Sequence, residues 1–211
     1  MMRMATEKDA ERVVDYVKSH SDFVYHKCDE PYGHVGATVA DSILQANNRY
    51  SSVEPRVKRI LTNWPAAKTV SSVLELLVTV PATQFLNWRG RDRADRFCEV
   101  LHLLKGEGVE SEADLQTWLG NDTNLPKLTA IKGIGPKTAD YLRIMVGLQG
   151  VAIDRRLLRF LAMAGVPIDE TDYAAARDLI NRAAELLLVP RSDFDHSIWR
   201  YMGSRTDEAC A

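Results

Sequence analysis

The stretch from Leu128 to Asp154, LTAIKGIGPKTADYLRIMVGLQGVAID, decides how this chain folds. Leu128, Ile131, Gly133, Ile134, Gly135 and Ala139 stand at the spacing of two short helices joined by a tight glycine turn. Leu128 and Ile131 pack the first helix, Ile134 plugs the hairpin, and Ala139 lets the two helices approach closely. Gly133 and Gly135 permit dihedrals and a backbone closeness that a Cβ would block. Pro136 suits the first position of the second helix, where its missing N–H costs nothing. The unpaired N–H groups of that helix start are then available to an anionic oxygen. Contacts of this kind hold a nucleic-acid phosphate without reading the bases. The plain alternative is a helix–turn–helix joint that needs glycine only for its shape; the hydrophobic spacing around the turn favours the hairpin.

Two residues of the stretch carry chemistry. Lys137 falls in the first turn of the second helix, beside the phosphate-binding end. Asp154 follows the Gly147–Gly150 loop, 17 residues further on. A lysine is a nucleophile only in its neutral form, and desolvation or the positive end of a helix dipole shifts it that way. A carboxylate nearby holds such a lysine in place and stabilises a cationic sugar in the transition state. Each residue has an ordinary alternative. Lys137 reads equally as one more phosphate contact or a solvated lysine, and Asp154 stands where an N-cap belongs, ahead of Arg155-Arg156-Leu157-Leu158.

Working outward, the periodicity is helical throughout. Val13, Val14 and Val17 mark a first helix, Val35 to Ala46 a second, and Val57, Ile60 and Leu61 a third that halts at Trp64-Pro65. Thr69 to Ser72 opens a fourth that ends near Pro81. Arg91 to Lys105 repeats apolar residues at three and four and stops at Gly106. Ser111 with Asp114 three residues on caps a short helix to Leu119. Lys127–Ile131 and Pro136–Val146 flank the hairpin turn, and Arg155–Ala164, Tyr173–Leu188 and Asp193–Met202 complete the chain. No segment reads as a strand. The predicted fold class is all-α.

Composition narrows the function classes. The 211 residues, 45% hydrophobic and 27% charged, suffice for a sizeable core and give no sign of bulk disorder. No apolar run approaches the roughly 20 residues that span a bilayer, and the N-terminal segment lacks a signal peptide's apolar core, so no membrane partner and a cytoplasmic location are expected. Cys28, Cys98 and Cys210 lie far apart, and His20, His26, His34, His102 and His196 form no ligand spacing. No metal is therefore expected. The net charge of −2 counts against a protein that coats DNA. It leaves room for a local basic face, as in Arg89, Arg91, Arg93 and Arg96, which read equally as a solvated helix side.

Residues 128–154 resemble the signature of the helix–hairpin–helix–Gly/Pro–Asp superfamily of DNA glycosylases, which includes endonuclease III and the 8-oxoguanine glycosylases. The likeness is strongest there and looser over about 35–203. It implies two helical subdomains with the active site in the cleft between them. One is a barrel-like six-helix body over 35–145 ending in the hairpin; the other, over 1–34 and 146–211, is built by both termini. It places a nucleophilic lysine at Lys137 and the catalytic aspartate at Asp154. Gln45 would face the partner base orphaned by flipping, supported by Asn47 or Asn48. Phe85 to Ala94 is similar to the family's wedge loop, with Leu86 or Trp88 as wedge and Arg91 on DNA, and Asp195-His196-Ser-Ile-Trp199 resembles a late helix start. The DNA-binding turn would comprise Lys132, Gly133, Ile134 and Gly135. Position 130 is alanine and 132 lysine where members show Leu-Pro, and Lys132 adds a phosphate contact. After Asp154 comes Arg155-Arg156 where oxidised-base enzymes often carry a histidine.

The resemblance therefore implies a bifunctional glycosylase and abasic-site lyase, because members that use water have another residue at the lysine position. The implied partner is double-stranded DNA carrying a damaged, oxidised base or an abasic site, bound by a monomer. No iron–sulfur cluster is expected, since only Cys210 stands where endonuclease III has four cysteines; a structural monovalent cation at the hairpin is compatible with the family. The rivals are a water-using monofunctional glycosylase, a non-catalytic helix–hairpin–helix DNA-binding module, and a protein-interaction domain.

Overall fold

The computed structural model describes residues 6–208, with side chains described through Arg205; Cys210 and the residues before Thr6 lie outside it. Among the described residues every regular element is helical, as the periodicity predicts. The chain forms two compact units, one of residues up to Asp29 together with those from Gln149 onward, the other of Glu30–Leu148.

The Glu30–Leu148 unit contains α2 (Val35–Leu44), α3 (Tyr50–Asn63), α4 (Val70–Leu77), α5 (Ala82–Phe85), α6 (Arg91–Gly106), α7 (Glu112–Leu119), α8 (Leu125–Thr129) and α9 (Pro136–Met145). All ten residues of α2 are buried. A helix surrounded on all sides belongs at the centre of a body, and α2 packs against α3, α4, α6 and α9. Ile43, Leu44, Phe85, Phe97, Leu101 and Leu104 are almost wholly excluded from solvent around it. His34 caps α2: its Nδ1 accepts the Ala37 N–H at 3.0 Å, which makes Nε2 the protonated nitrogen that donates to the Trp64 carbonyl at 2.9 Å. Gly36 admits Ala67 and Phe85 to within 3.1 Å of where a Cβ would stand.

The other unit contains α1 (Glu7–Ser19), α10 (Arg155–Met163), α11 (Tyr173–Leu187) and α12 (Arg191–Glu208). Phe23, Phe160, Phe194 and Tyr201 form its aromatic centre, with Phe160 edge-on to Phe194 at 6.5 Å between ring centroids. Such pairs add about 0.5–1.5 kcal/mol beyond their buried area. Thr6 and Asp9 form a capping box that starts α1.

The structure corrects the sequence reading in three places. Ala82–Phe85 is a short helix where no element is predicted, between the helix expected to end near Pro81 and the wedge-loop likeness that starts at Phe85. The helix before the hairpin runs over Leu125–Thr129 and not over Lys127–Ile131, because Pro126 suits a helix start and draws the element two residues forward. The last helix begins at Arg191, directly after Pro190, so Asp195–Trp199 lies inside α12 and is not a helix start.

Candidate nucleic-acid interface

The turn between α8 and α9 is closed by the Ile134 N–H donating to the Ile131 carbonyl at 3.0 Å. Gly133 holds φ +88°, a left-handed conformation that side chains with a Cβ adopt only at a cost. Gly135 is different. Its backbone is extended at φ −101°, ψ −179°, and a Cβ there would meet nothing within 4 Å. The fold requires glycine at 133 and has no use for it at 135. No side chain caps α9, which starts at Pro136. Ile134 is buried at 5% exposure and its N–H is already given to Ile131, so it shapes the turn from within, whereas Lys132 is exposed.

Arg96 completes this turn from α6, its Nε donating to the Lys132 carbonyl at 2.9 Å. The Ile131 carbonyl thus already accepts from the Ile134 N–H and the Lys132 carbonyl from the Arg96 guanidinium, and a monovalent cation at the hairpin would have to share them with these donors.

Lys137 is half-buried in the first turn of α9, with Nζ 5.2 Å from the centroid of the Tyr141 ring one turn on. At the hydroxyl end of that ring lies Asp41 of α2, 1% exposed. It accepts from the Tyr32 hydroxyl at 2.8 Å and, at a long 3.5 Å, from the Tyr141 hydroxyl. A buried carboxylate persists only when such donors satisfy it. Nothing in the spacing of Tyr32, Asp41 and Tyr141 announces this cluster; the one signal is an aspartate within the apolar run of α2.

The two other segments singled out for DNA contact belong to this unit as well. Gln45 forms the C-cap of α2; its side chain is 8% exposed and its Oε1 is buried without a hydrogen-bond partner. Asn47 adopts φ +57°, and the Asn48 Nδ2 donates to the Leu44 carbonyl at 2.6 Å. Leu86, one of two candidate wedges, is fully buried among core residues. It packs the unit and does not project from it, because α5 turns residue 86 inward. Trp88 is half-buried, with the guanidinium carbons of Arg56 and Arg93 at 5.1 and 4.7 Å from its ring.

Arg93 has an internal task that sequence reasoning missed. Its Nη1 donates to the Ile43 and Leu44 carbonyls at 3.0 and 2.9 Å, and its Nη2 to Ala46 at 2.7 Å. These are carbonyls at the C-terminal end of α2, where a cation is favoured. Burial, and then the charge of Arg96, hold its pKa below the usual arginine value. Arg91 is exposed at the first position of α6.

In the terminal unit Asp154 is the N-cap of α10, one carboxylate oxygen accepting the Arg156 and Leu157 N–H groups at 2.8 and 3.0 Å. The Arg156 guanidinium lies 4.4 Å from the Trp199 ring centroid, and His196 stacks on the same ring at 6.4 Å. Burial lowers the His196 pKa, which disfavours the charged ring. Asp195 accepts the Ala152 N–H at 2.6 Å and so fixes the strand of chain that leads into Asp154. Burial, with Asp195 nearby, pushes the Cys28 thiol up to about 11, which keeps it protonated and unreactive. Among the described residues no three or more histidine, cysteine, aspartate or glutamate side chains are grouped to hold a metal ion, and no helix is long and apolar enough to cross a membrane.

Comparison with known proteins gives a fold and a family. The family model of a domain of unknown function, DUF8548, matches residues 11–203. No curated protein matches the sequence. Among solved structures, the 8-oxoguanine DNA glycosylase of Thermotoga maritima matches with a TM-score of 0.54 at 18% identity, over 92% of this chain and 93% of that one. At that identity the likeness is one of fold.

Proposed function

The chain belongs to the DUF8548 family, and we propose that it is a DNA base-excision repair enzyme of the helix–hairpin–helix–Gly/Pro–Asp superfamily. In this proposal it is a bifunctional glycosylase and abasic-site lyase, acting on duplex DNA with an oxidised base or an abasic site. The observation that carries the proposal is the placing of Lys137. It sits half-buried in the first turn of an uncapped helix, directly after a glycine hairpin, in a chain with a glycosylase's fold. Gln45 adds support: a buried amide oxygen with no partner is costly unless a ligand satisfies it.

The hairpin from Lys132 to Gly135 anchors a backbone phosphate through main-chain N–H groups and the Lys132 charge. The damaged nucleotide leaves the stack, as chemistry on a base requires. The neutral Lys137 amine attacks C1′, the glycosidic bond breaks, and the base departs with its electron pair and takes up a proton. Asp154 stabilises the positive charge that develops on the sugar. Loss of the amine protons and opening of the sugar ring give an imine between Nζ and C1′. Removal of a proton from C2′ then expels the 3′ phosphate by β-elimination and cuts the strand.

The test is covalent trapping. Duplexes carrying an abasic site, 8-oxoguanine or an oxidised pyrimidine are incubated with the protein and borohydride. A reduced adduct is expected, lost in Lys137→Gln while duplex binding persists. Duplex binding without any adduct from the native protein would overturn the Schiff-base chemistry.

A further inference from the structure

Every residue of α2 is buried, and two of its polar side chains have plain structural tasks. Thr38 donates to Glu112 at the start of α7, and Ser42 donates to the Val39 carbonyl at 2.9 Å. Asp41 is different. An apolar side chain there would fill the same helix face without the cost of burying a carboxylate, and proteins often tolerate or gain from such a replacement. The carboxylate is met by two tyrosine hydroxyls from other parts of the chain. Tyr32, from the segment before α2, donates at 2.8 Å, and Tyr141, from α9, at 3.5 Å.

Tyr141 connects this carboxylate to chemistry. Lys137 and Tyr141 stand four residues apart on α9 and so share a face. A helical side chain leans toward its helix's N-terminus, which lays the Tyr141 ring back over the turn that carries Lys137. Lys137 Nζ lies 5.2 Å from the ring centroid, within reach of a cation–π contact. Because α9 packs on α2, the hydroxyl end of the ring is held by one helix while its face serves a side chain of the other. Donation to a carboxylate also makes the tyrosine ring more electron-rich, since hydrogen-bonded groups polarise one another. That strengthens its hold on a cation.

From this we propose that Asp41 is a positioning residue for Lys137: its hydrogen bond fixes the Tyr141 ring, and the fixed ring keeps the Lys137 amine at one place at the start of α9. The proposal rests on Lys137 being the nucleophile. A flexible lysine stem otherwise samples many rotamers. Attack on C1′ needs the nitrogen in near-attack geometry, where a misplacement of about 1 Å costs about a hundredfold in rate. The ring favours the ammonium form, so its contribution is place and not activation. The neutral amine keeps the same seat through an N–H contact to the ring face. Asp41 acts only through Tyr141.

The experiment reads the lysine first without DNA and then with it. Lysine amines are dimethylated with isotopically labelled formaldehyde and cyanoborohydride, and the Lys137 NMR signal is identified by its loss in Lys137→Gln. In the native protein it is expected upfield of the solvated lysines, displaced by the Tyr141 ring current. Tyr141→Leu and Asp41→Leu should return it to their position. Asp41→Asn keeps an oxygen that accepts the hydroxyl and should retain the displacement. The same variants, unmethylated, are then trapped with borohydride on a saturating duplex that carries an abasic site. Both leucine variants should form the adduct about ten to a hundredfold more slowly with duplex affinity unchanged, and Asp41→Asn should stay near the native rate. Should Asp41→Leu fail to fold, Tyr141→Phe removes the hydroxyl alone; its signal should move partway downfield and its adduct form more slowly. A Lys137 signal unmoved by Asp41→Leu or Tyr141→Phe overturns the proposal, as does a moved signal with a native trapping rate. A native protein that binds duplex and forms no adduct overturns the Schiff-base reading and this role together, leaving the upfield signal as a structural contact.

Discussion

Arg96 lies across Gly133: its Nε donates to the Lys132 carbonyl at 2.9 Å, and a Cβ on Gly133 would fall 1.9 Å from Arg96 Nη2. The glycine is demanded by its positive φ, and a methyl there would also push the Arg96 guanidinium off the Lys132 carbonyl. Gly133→Ala should destabilise the protein by about 1–3 kcal/mol, read as a drop of about 2–4 °C in Tm per kcal/mol for a chain of this size. Part of that penalty is steric and depends on Arg96. In an Arg96→Ala background the same substitution should cost less, so a double-mutant cycle by urea unfolding should give a coupling of about 1 kcal/mol. Strict additivity would show that Arg96 does not brace the turn.

Gly135 gives the opposite expectation. With extended φ and open space where a Cβ would go, Gly135→Ala should shift stability by less than about 0.5 kcal/mol. If the hairpin seats a phosphate against its main chain, the added methyl obstructs that approach. Duplex affinity should then fall at least tenfold while Tm holds. Unaltered binding would remove the hairpin from the interface.

Arg93 satisfies three carbonyls at the end of α2 with one planar group, which a lysine cannot reproduce. Arg93→Ala should cost about 2–4 kcal/mol, the loss of charge-assisted bonds to partly buried acceptors. Arg93→Lys should recover less than half of it. Full recovery by lysine would mean that charge near the helix end matters and the forked geometry does not. Chemical denaturation of both variants decides between these.

These residues also mark how far the sequence carries. The helices were legible because their signals are local: apolar spacing for α6, and Ser111 with Asp114 boxing the start of α7. Four residues, as in α5, are too few to express a period. Leu86 shows a second limit. The resemblance to a wedge loop offers Leu86 as a projecting side chain, and only the turn after α5 shows that it points inward. Arg89, Arg91, Arg93 and Arg96 are alike in sequence, yet two of them bond to chain some 36–50 residues away. Asp41 is the same case, an aspartate whose tyrosine partners come from before α2 and from α9. Contacts across that distance leave no periodic trace.

Glu110 fastens α4 to the chain that follows α6. It accepts the Ser71 N–H at 3.0 Å and the Ser71 hydroxyl at 2.7 Å, and it pairs with Lys105. The Lys105 and Ser71 bonds lower its pKa from 4.5 to about 2. A depressed carboxylate contributes stability above its unfolded value and loses it as pH falls through the folded value. Thermal stability should therefore decline between about pH 4.5 and 2 partly through this group. Its effect is modest because the side chain is 38% exposed. Glu110→Gln should be less stable at neutral pH and should show a shallower acid limb. An acid limb identical to that of the native protein would assign the decline to other carboxylates.

Asp154 has two tasks to separate, the capping seen in the structure and the charge stabilisation proposed for catalysis. One oxygen accepts two N–H groups at the start of α10, and an asparagine oxygen accepts them equally well. Asp154→Asn should thus fold with stability within about 0.5 kcal/mol of native, whereas Asp154→Ala should lose about 1 kcal/mol with the cap. Base excision should be abolished by both, since neither carries the charge. Excision that tracks stability, surviving in Asn and failing only in Ala, would reduce Asp154 to a cap. Excision lost in a stable Asn variant, with duplex affinity retained, would leave the negative charge itself as the function of this residue.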